Sequence, residues 1–202
     1  MKADLKSRFD ENIARVRNLA DIYETKLAPI AQGRKPVGST DILRAGVVFL
    51  HATVEEFLRG ILEWRLPDQS EAILNGVSLV GSGSDRAEKF LLGRLAAHRT
   101  KTVDALIRES VSASLTRSNF NSVAEIVSAL TSVGLDKTPC EPFFPALTAL
   151  MERRHQIVHR ADRNPNHGQG HHHASSIGRH HVHEWAQAAQ DFFDAVYAQL
   201  PN

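Results

Sequence analysis

Residues 42 to 66 read ILRAGVVFLHATVEEFLRGILEWRL. Apolar side chains return every three or four positions, which is the period of an α-helix and not the alternation of a strand. They occupy more than half of the circumference, so the helix is expected to lie in the middle of a bundle. Asp41 is the expected N-cap, since its carboxylate can accept from the free amides of a first turn. The longest apolar run, AGVVFL, is far too short to span a membrane, and charges follow it.

Working outward, the same period recurs almost everywhere. Leu5, Phe9, Ile13, Val16, Ala20 and Tyr23 mark a first helix. APIAQGRKPVGST (28–40) should end it and act as a linker, because two prolines and two glycines interrupt the pattern. Residues 66–85 are weakly patterned and close on a Gly/Ser loop. RAEKFLLGRLAAH (86–98), TVDALIRESVSASL (102–115) and SVAEIVSALTSVGL (122–135) then read as three shorter helices. Ser122 and Glu125 form a capping-box pair, and Gly134 is a stop signal. Pro145 suits the first turn of the next helix. A His/Gly-rich loop (164–180) separates that helix from a last amphipathic one, HVHEWAQAAQDFFDAVYAQL (181–200). No internal repeat is visible. The expectation is a single all-α domain over 1–202, with a helix and linker (1–37) added to a core of 40–200.

Composition narrows the function classes. The chain has 202 residues, 42% of them apolar and 23% charged, with a net charge of +1. No global basic field marks a nucleic-acid binder, so any such binding must be local. Cys140 stands alone, which excludes an internal disulfide and a cysteine metal cage. The charged opening MKADLKSRFDENIARVRNLA lacks the apolar run of a signal peptide, and a cytoplasmic location is expected.

The helix after Pro145 ends in RRHQIVHR (153–160). At roughly 100° per residue, Leu147, Leu150, Met151, Ile157, Val158 and Ala161 share one apolar arc. Arg154 falls inside that arc. Arg153 and Arg160 fall opposite, with Glu152 and Gln156, and read as surface cations. His155 and His159 are four apart on one shoulder, and Asp162 joins them if the helix persists another turn. An ordinary explanation competes. Arg154 could pair with a buried acid such as Glu55 or Glu56, while the histidines complement the negative helix end.

RHQIVH, within RRHQIVHRAD, resembles the motif of HEPN domains: an arginine, a polar residue, three more residues and a histidine. The longer string is similar to the RiboL-PSP-HEPN branch. So are LRAGVVFLHATVEEFL, LGRLAAHRTKTVDALIRESV, SNFNSVAEIVSALTSVGLD and the Trp-containing HEWAQAAQDFF, which together cover roughly residues 40 to 200. The resemblance implies an HEPN-type helical bundle with an additional N-terminal helix. It also implies a homodimer in which Arg154, His155 and His159 face a shared cleft. Many such proteins are metal-independent endoribonucleases acting as toxins or in phage defence, needing no cofactor. Others have lost activity and bind nucleic acid, nucleotide or protein. A small nucleotidyltransferase-like antitoxin is a partner this branch allows. The residue types suit 2′-hydroxyl attack on the adjacent phosphate: His159 for proton transfer, Arg154 as phosphate clamp and His155 for positioning.

Other candidates carry weaker signals. His51 and Glu55 share a helix face and could orient a motif histidine; the duller alternative is an exposed Glu55–Arg59 pair with His51 at the core edge. Arg94, His98, Arg99 and Lys101 form a basic cluster that could touch RNA phosphates. His167, His171, His172, His173, His180, His181 and His183 invite a metal reading. They lack the fixed spacing of a structural zinc site, and no dedicated metal site is expected.

Overall fold

A 29-residue helix, α2 (Val37–Arg65), runs through the middle of the molecule and buries residues along most of its length. The computed structural model describes residues 1–28, 37–81, 92–164 and 174–201, the side chains of Leu92 and Arg94 apart. Around α2 stand α1 (Lys2–Ile22), α3 (Glu71–Leu74), α4 (Val103–Leu115), α5 (Val123–Ser132), α6 (Phe144–Arg160) and α7 (Arg179–Tyr197). Among the described residues there is no strand, only an isolated antiparallel bridge between Arg163 and Ala174. The fold is all-α, as the periodicity predicts. No described helix is long and apolar enough to cross a membrane.

The first helix is part of the core. It buries Leu5, Phe9, Ile13, Val16 and Ala20 against α2 and α7. Phe9 stacks on Phe193 at 4.1 Å between ring centroids, and Phe57 closes the trio at 4.6 Å from Phe193. Such aromatic packing adds to the area burial that drives the association. Gly60 permits the approach of α1 to α2: a Cβ there would lie 2.5 Å from Leu5 Cδ2. Arg8 and Glu56 pair at 2.7 Å across the same seam, which takes Glu56 away from Arg154.

Three local expectations need correction. α2 begins at Val37, not after an Asp41 cap. The buried Thr40 hydroxyl bonds to Val37 O (2.9 Å) and receives Arg44 Nη1 (2.6 Å), so side chains inside the helix hold its first turn. Residues 37–40 of the expected linker are therefore helical, and 29–36 lie outside the described residues. Residues 92–98 form a 3-10 segment instead of an α-helix. Gly93 sits in it, and none of its described side chains is buried enough to select an α-helical face. The remainder of that predicted helix (86–91) lies outside the described residues.

Elsewhere the local signals hold. Ser122 Oγ accepts the Glu125 amide (3.2 Å) and the Glu125 carboxylate accepts the Asn121 amide (2.8 Å). Gly134 ends the following turn at φ 74°.

At the end of α6, Ala161 and Asp162 take φ of 48° and 55°, so the chain turns sharply out of the helix. Two successive left-handed non-glycine residues are strained and need compensation. A buried charge cluster supplies it. Asp162 Oδ2 accepts Arg44 Nε at 2.6 Å and Arg153 Nη2 at 2.7 Å. Both arginines also donate at 3.0 Å to Ser175 O, on the segment returning toward α7. Asp162 is 1% exposed. Removing one member of a buried ion cluster strands the others in a poor solvent for charge. Asp162→Asn should therefore lower unfolding stability by about 3–5 kcal/mol in urea titrations; an unchanged midpoint would show that the cluster does not hold this turn.

Candidate functional site

The candidate site lies on the last two turns of α6. Leu147, Leu150 and Met151 anchor this helix in the core, as its apolar arc predicts. Beyond them the arc comes out of the bundle: Ile157 is half-buried, Val158 is 46% exposed and Ala161 is exposed. The histidines stand on this uncovered end. His155 and His159 are both exposed, with ring centroids 4.8 Å apart. The i, i+4 spacing produces that proximity directly.

Of the two adjacent arginines, Arg153 departs from the role that the helical wheel suggests. Arg153, expected at the surface, is only 13% exposed, and its Nη2 is held by Asp162, Ser175 O and Ser176 O. Burial pushes its guanidinium below the ordinary range, with Arg44 adding to that and Asp162 opposing it. The reason is tertiary: the returning segment 174–178 covers the face of α6 that a wheel leaves to solvent. Arg154 is half-buried, and among the described residues its side chain makes no hydrogen bond or ion pair. The acids considered for it are occupied elsewhere. Glu56 holds Arg8, and Glu55 Oε1 accepts the Phe120 amide at 3.2 Å.

Asp162 does not extend the histidine face. The helix stops at Arg160, and the left-handed turn swings the carboxylate inward to Arg44 and Arg153. Arg44 is the participant that sequence reasoning missed. Its signal was present: Arg44 shares the buried face of α2 with Val47 and His51, at i+3 and i+7.

His51 is buried at 1% exposure, with Nδ1 3.6 Å from Glu55 Oε2. Its Nε2 has no hydrogen-bond partner among the described residues. Burial pushes its pKa down, Glu55 opposes this, and the Arg154 charge depresses it further. His51 is thus a neutral ring within electrostatic range of Arg154. The exposed Glu55–Arg59 pair is absent. Arg59 instead donates to Leu115 O (3.2 Å) and Ser118 O (2.9 Å).

The basic cluster divides. Lys101 is held by Glu109, Arg99 is exposed, and the Arg94 side chain lies outside the described residues. Of the histidine-rich run, His167, His171, His172 and His173 also lie outside them. His180 and His181 pack ring to ring at 3.9 Å. Among the described residues no three His, Cys, Asp or Glu side chains converge as metal ligands.

Two hollows flank the motif. One of about 330 Å³ is lined by Asn121, Met151, Glu152, His155, Gln156 and Arg160. The other, about 610 Å³, is lined by Ile157 to Ala161 and Arg163, and includes His159. The two motif imidazoles therefore each line an open, cation-rimmed hollow, while Arg154 lines neither and is unpartnered among the described residues.

A helical bundle with this motif at the exit of a core-anchored helix is the arrangement expected of HEPN proteins. The RiboL-PSP-HEPN family model matches residues 10–202, and the chain belongs to that family. The match begins inside α1, so the first helix lies largely within the family's span. No curated protein matches the chain significantly. No solved structure does so either.

The neutral His51 carries a pH signature. Its folded pKa lies below the ordinary 6.5, so the unfolded chain takes up this proton first as pH falls. The associated stability is full above about 6.5 and is lost as pH drops toward the folded value. Urea midpoints should fall between about pH 7 and pH 5.5, and His51→Leu should flatten part of that fall. An identical pH slope in the variant would remove His51 as its source.

Proposed function

We propose that the protein is a metal-independent endoribonuclease, acting as a homodimer through Arg154, His155 and His159, in a toxin or phage-defence setting. The observation that carries this reading is the contrast between neighbouring arginines. Arg153 is spent on Asp162, whereas Arg154 is half-buried and unpaired among the described residues. Holding a guanidinium partly out of water without a carboxylate is unfavourable unless an anion completes it. A phosphate is the natural complement of its planar fork.

The reaction needs no group beyond the substrate and these side chains. The ribose 2′-oxygen attacks the adjacent phosphorus and gives its proton to a base. The P–O5′ bond breaks, and an acid protonates the departing 5′-oxygen. Products are a 2′,3′-cyclic phosphate and a 5′-hydroxyl. His159 is the proton-transfer residue, and its copy in the second protomer supplies the complementary acid or base. Arg154 neutralises the charge that develops on the phosphorane oxygens. His155 positions the phosphate or ribose, and His51 with Glu55 backs Arg154 from the core side.

The apolar arc of α6 supports the second protomer. Val158 is a large hydrophobic beside His159 that nothing among the described residues covers fully. α1 belongs to the same unit as the rest of the bundle, because it shares the aromatic core with α2 and α7.

Incubating RNA with the protein in EDTA should yield cyclic-phosphate ends. His159→Ala should slow cleavage roughly 10²- to 10⁴-fold, the range of a lost general acid–base group, and Arg154→Ala comparably. Cleavage by His159→Ala at the wild-type rate would refute the assignment. RNA binding without cleavage by the wild type would identify a non-catalytic module.

A further inference from the structure

A third hollow, about 220 Å³, opens between α6 and α7; it is lined by Glu152, Arg153, Gln156, His181 and Trp185 among others. We propose that this hollow is a guanine-binding subsite that selects the nucleotide next to the scissile phosphate. The role in cleavage rests on the ribonuclease reading; the capacity to hold the base does not.

One wall is aromatic. The His181 and Trp185 rings lie 24° from parallel with centroids 5.7 Å apart. Unpaired RNA bases are held by stacking on such rings and read along their edges. The other groups offer a mixed set of donors and acceptors. His181 Nδ1 accepts the Gly178 amide at 3.1 Å, so the neutral ring carries its hydrogen on Nε2. Burial pushes this histidine below 6.5, with His180 adding to the shift, and so preserves that tautomer near neutrality. Arg153 spends Nη2 on Asp162 and Ser175, and its Nε is buried out of a ligand's reach, so that nitrogen is not a donor to a bound base. Glu152 and Gln156 have no side-chain partners among the described residues.

The His181 Nε2–H and the Gln156 amide donor, together with the Glu152 carboxylate, suit guanine. Its O6 and N7 accept hydrogen bonds, while N1–H and the N2 amino group donate toward a carboxylate. Adenine, cytosine and uracil each lack part of that pattern. Placement adds a second argument. Glu152 and Gln156 line this hollow and also the one containing His155. A base seated on Trp185 therefore leads its backbone toward the motif.

The test uses the full chain carrying His159→Ala, titrated calorimetrically with GMP, AMP, CMP and UMP, and with short RNAs that contain or lack one guanosine. GMP and the guanosine-containing RNA should bind roughly five- to a hundredfold more tightly than the others, the discrimination of one bidentate contact. Adding Trp185→Ala should weaken GMP by a similar factor, the loss of one base–aromatic stack. Glu152→Gln, an exposed change that disturbs no core contact, should bring GMP and AMP together. GMP binding without RNA preference would assign the hollow to a free nucleotide and overturn the cut-site role. Equal binding of all four nucleotides, no binding, or unchanged selectivity in Glu152→Gln overturns the subsite itself. A parallel digestion with the unmodified protein separates the two readings. Cleavage without guanosine preference sinks the subsite alone, and selective GMP binding with intact RNA sinks the nuclease alone.

Discussion

A single carboxylate oxygen, Oδ2 of Asp162, receives guanidinium groups from two helices. Arg44 comes from the central helix and Arg153 from the motif helix, and both reach on to Ser175 O. This cluster ties α2, the exit of α6 and the segment leading into α7 at one buried point. It stabilises a backbone turn that neither Ala161 nor Asp162 would hold alone. The last turn of α6, carrying His159, is therefore positioned by charge inside the molecule and not by contacts on its own exposed face.

That arrangement separates two chemically identical neighbours. Arg153 is structural because its face of the helix is covered by 174–178. Arg154, one position on, lies within electrostatic range of His51 and finds no carboxylate partner within the described residues. Structure and candidate chemistry are thus divided between adjacent positions, and each depends on the other. Without Arg153 at Asp162, the helix end that presents Arg154, His155 and His159 would lose one of the two guanidinium ties that fix its exit.

Much of the fold was legible in the sequence. The periodicity of α2, the Ser122–Glu125 box and the Gly134 stop each act within a few residues, so local reasoning finds them. The family resemblance also picked out the motif, and the family match over 10–202 bears out that membership. What failed was long-range. Arg44 meets Asp162 across 118 positions, and Arg153 meets Ser175 across 22. A helical wheel says which side chains share a face but not what will cover it. The same limit hid the hollow at Trp185, whose lining comes from two helices and the segment leading into α7.

The buried cluster and the open motif also respond differently to ionic strength. Salt screens charges in contact with water far more than charges sealed from it. Asp162 and its arginines should therefore keep their geometry across salt concentrations that strip a phosphate ligand from Arg154. Added salt would empty the proposed site without reshaping it, so recovery on dilution needs no refolding of the helix end.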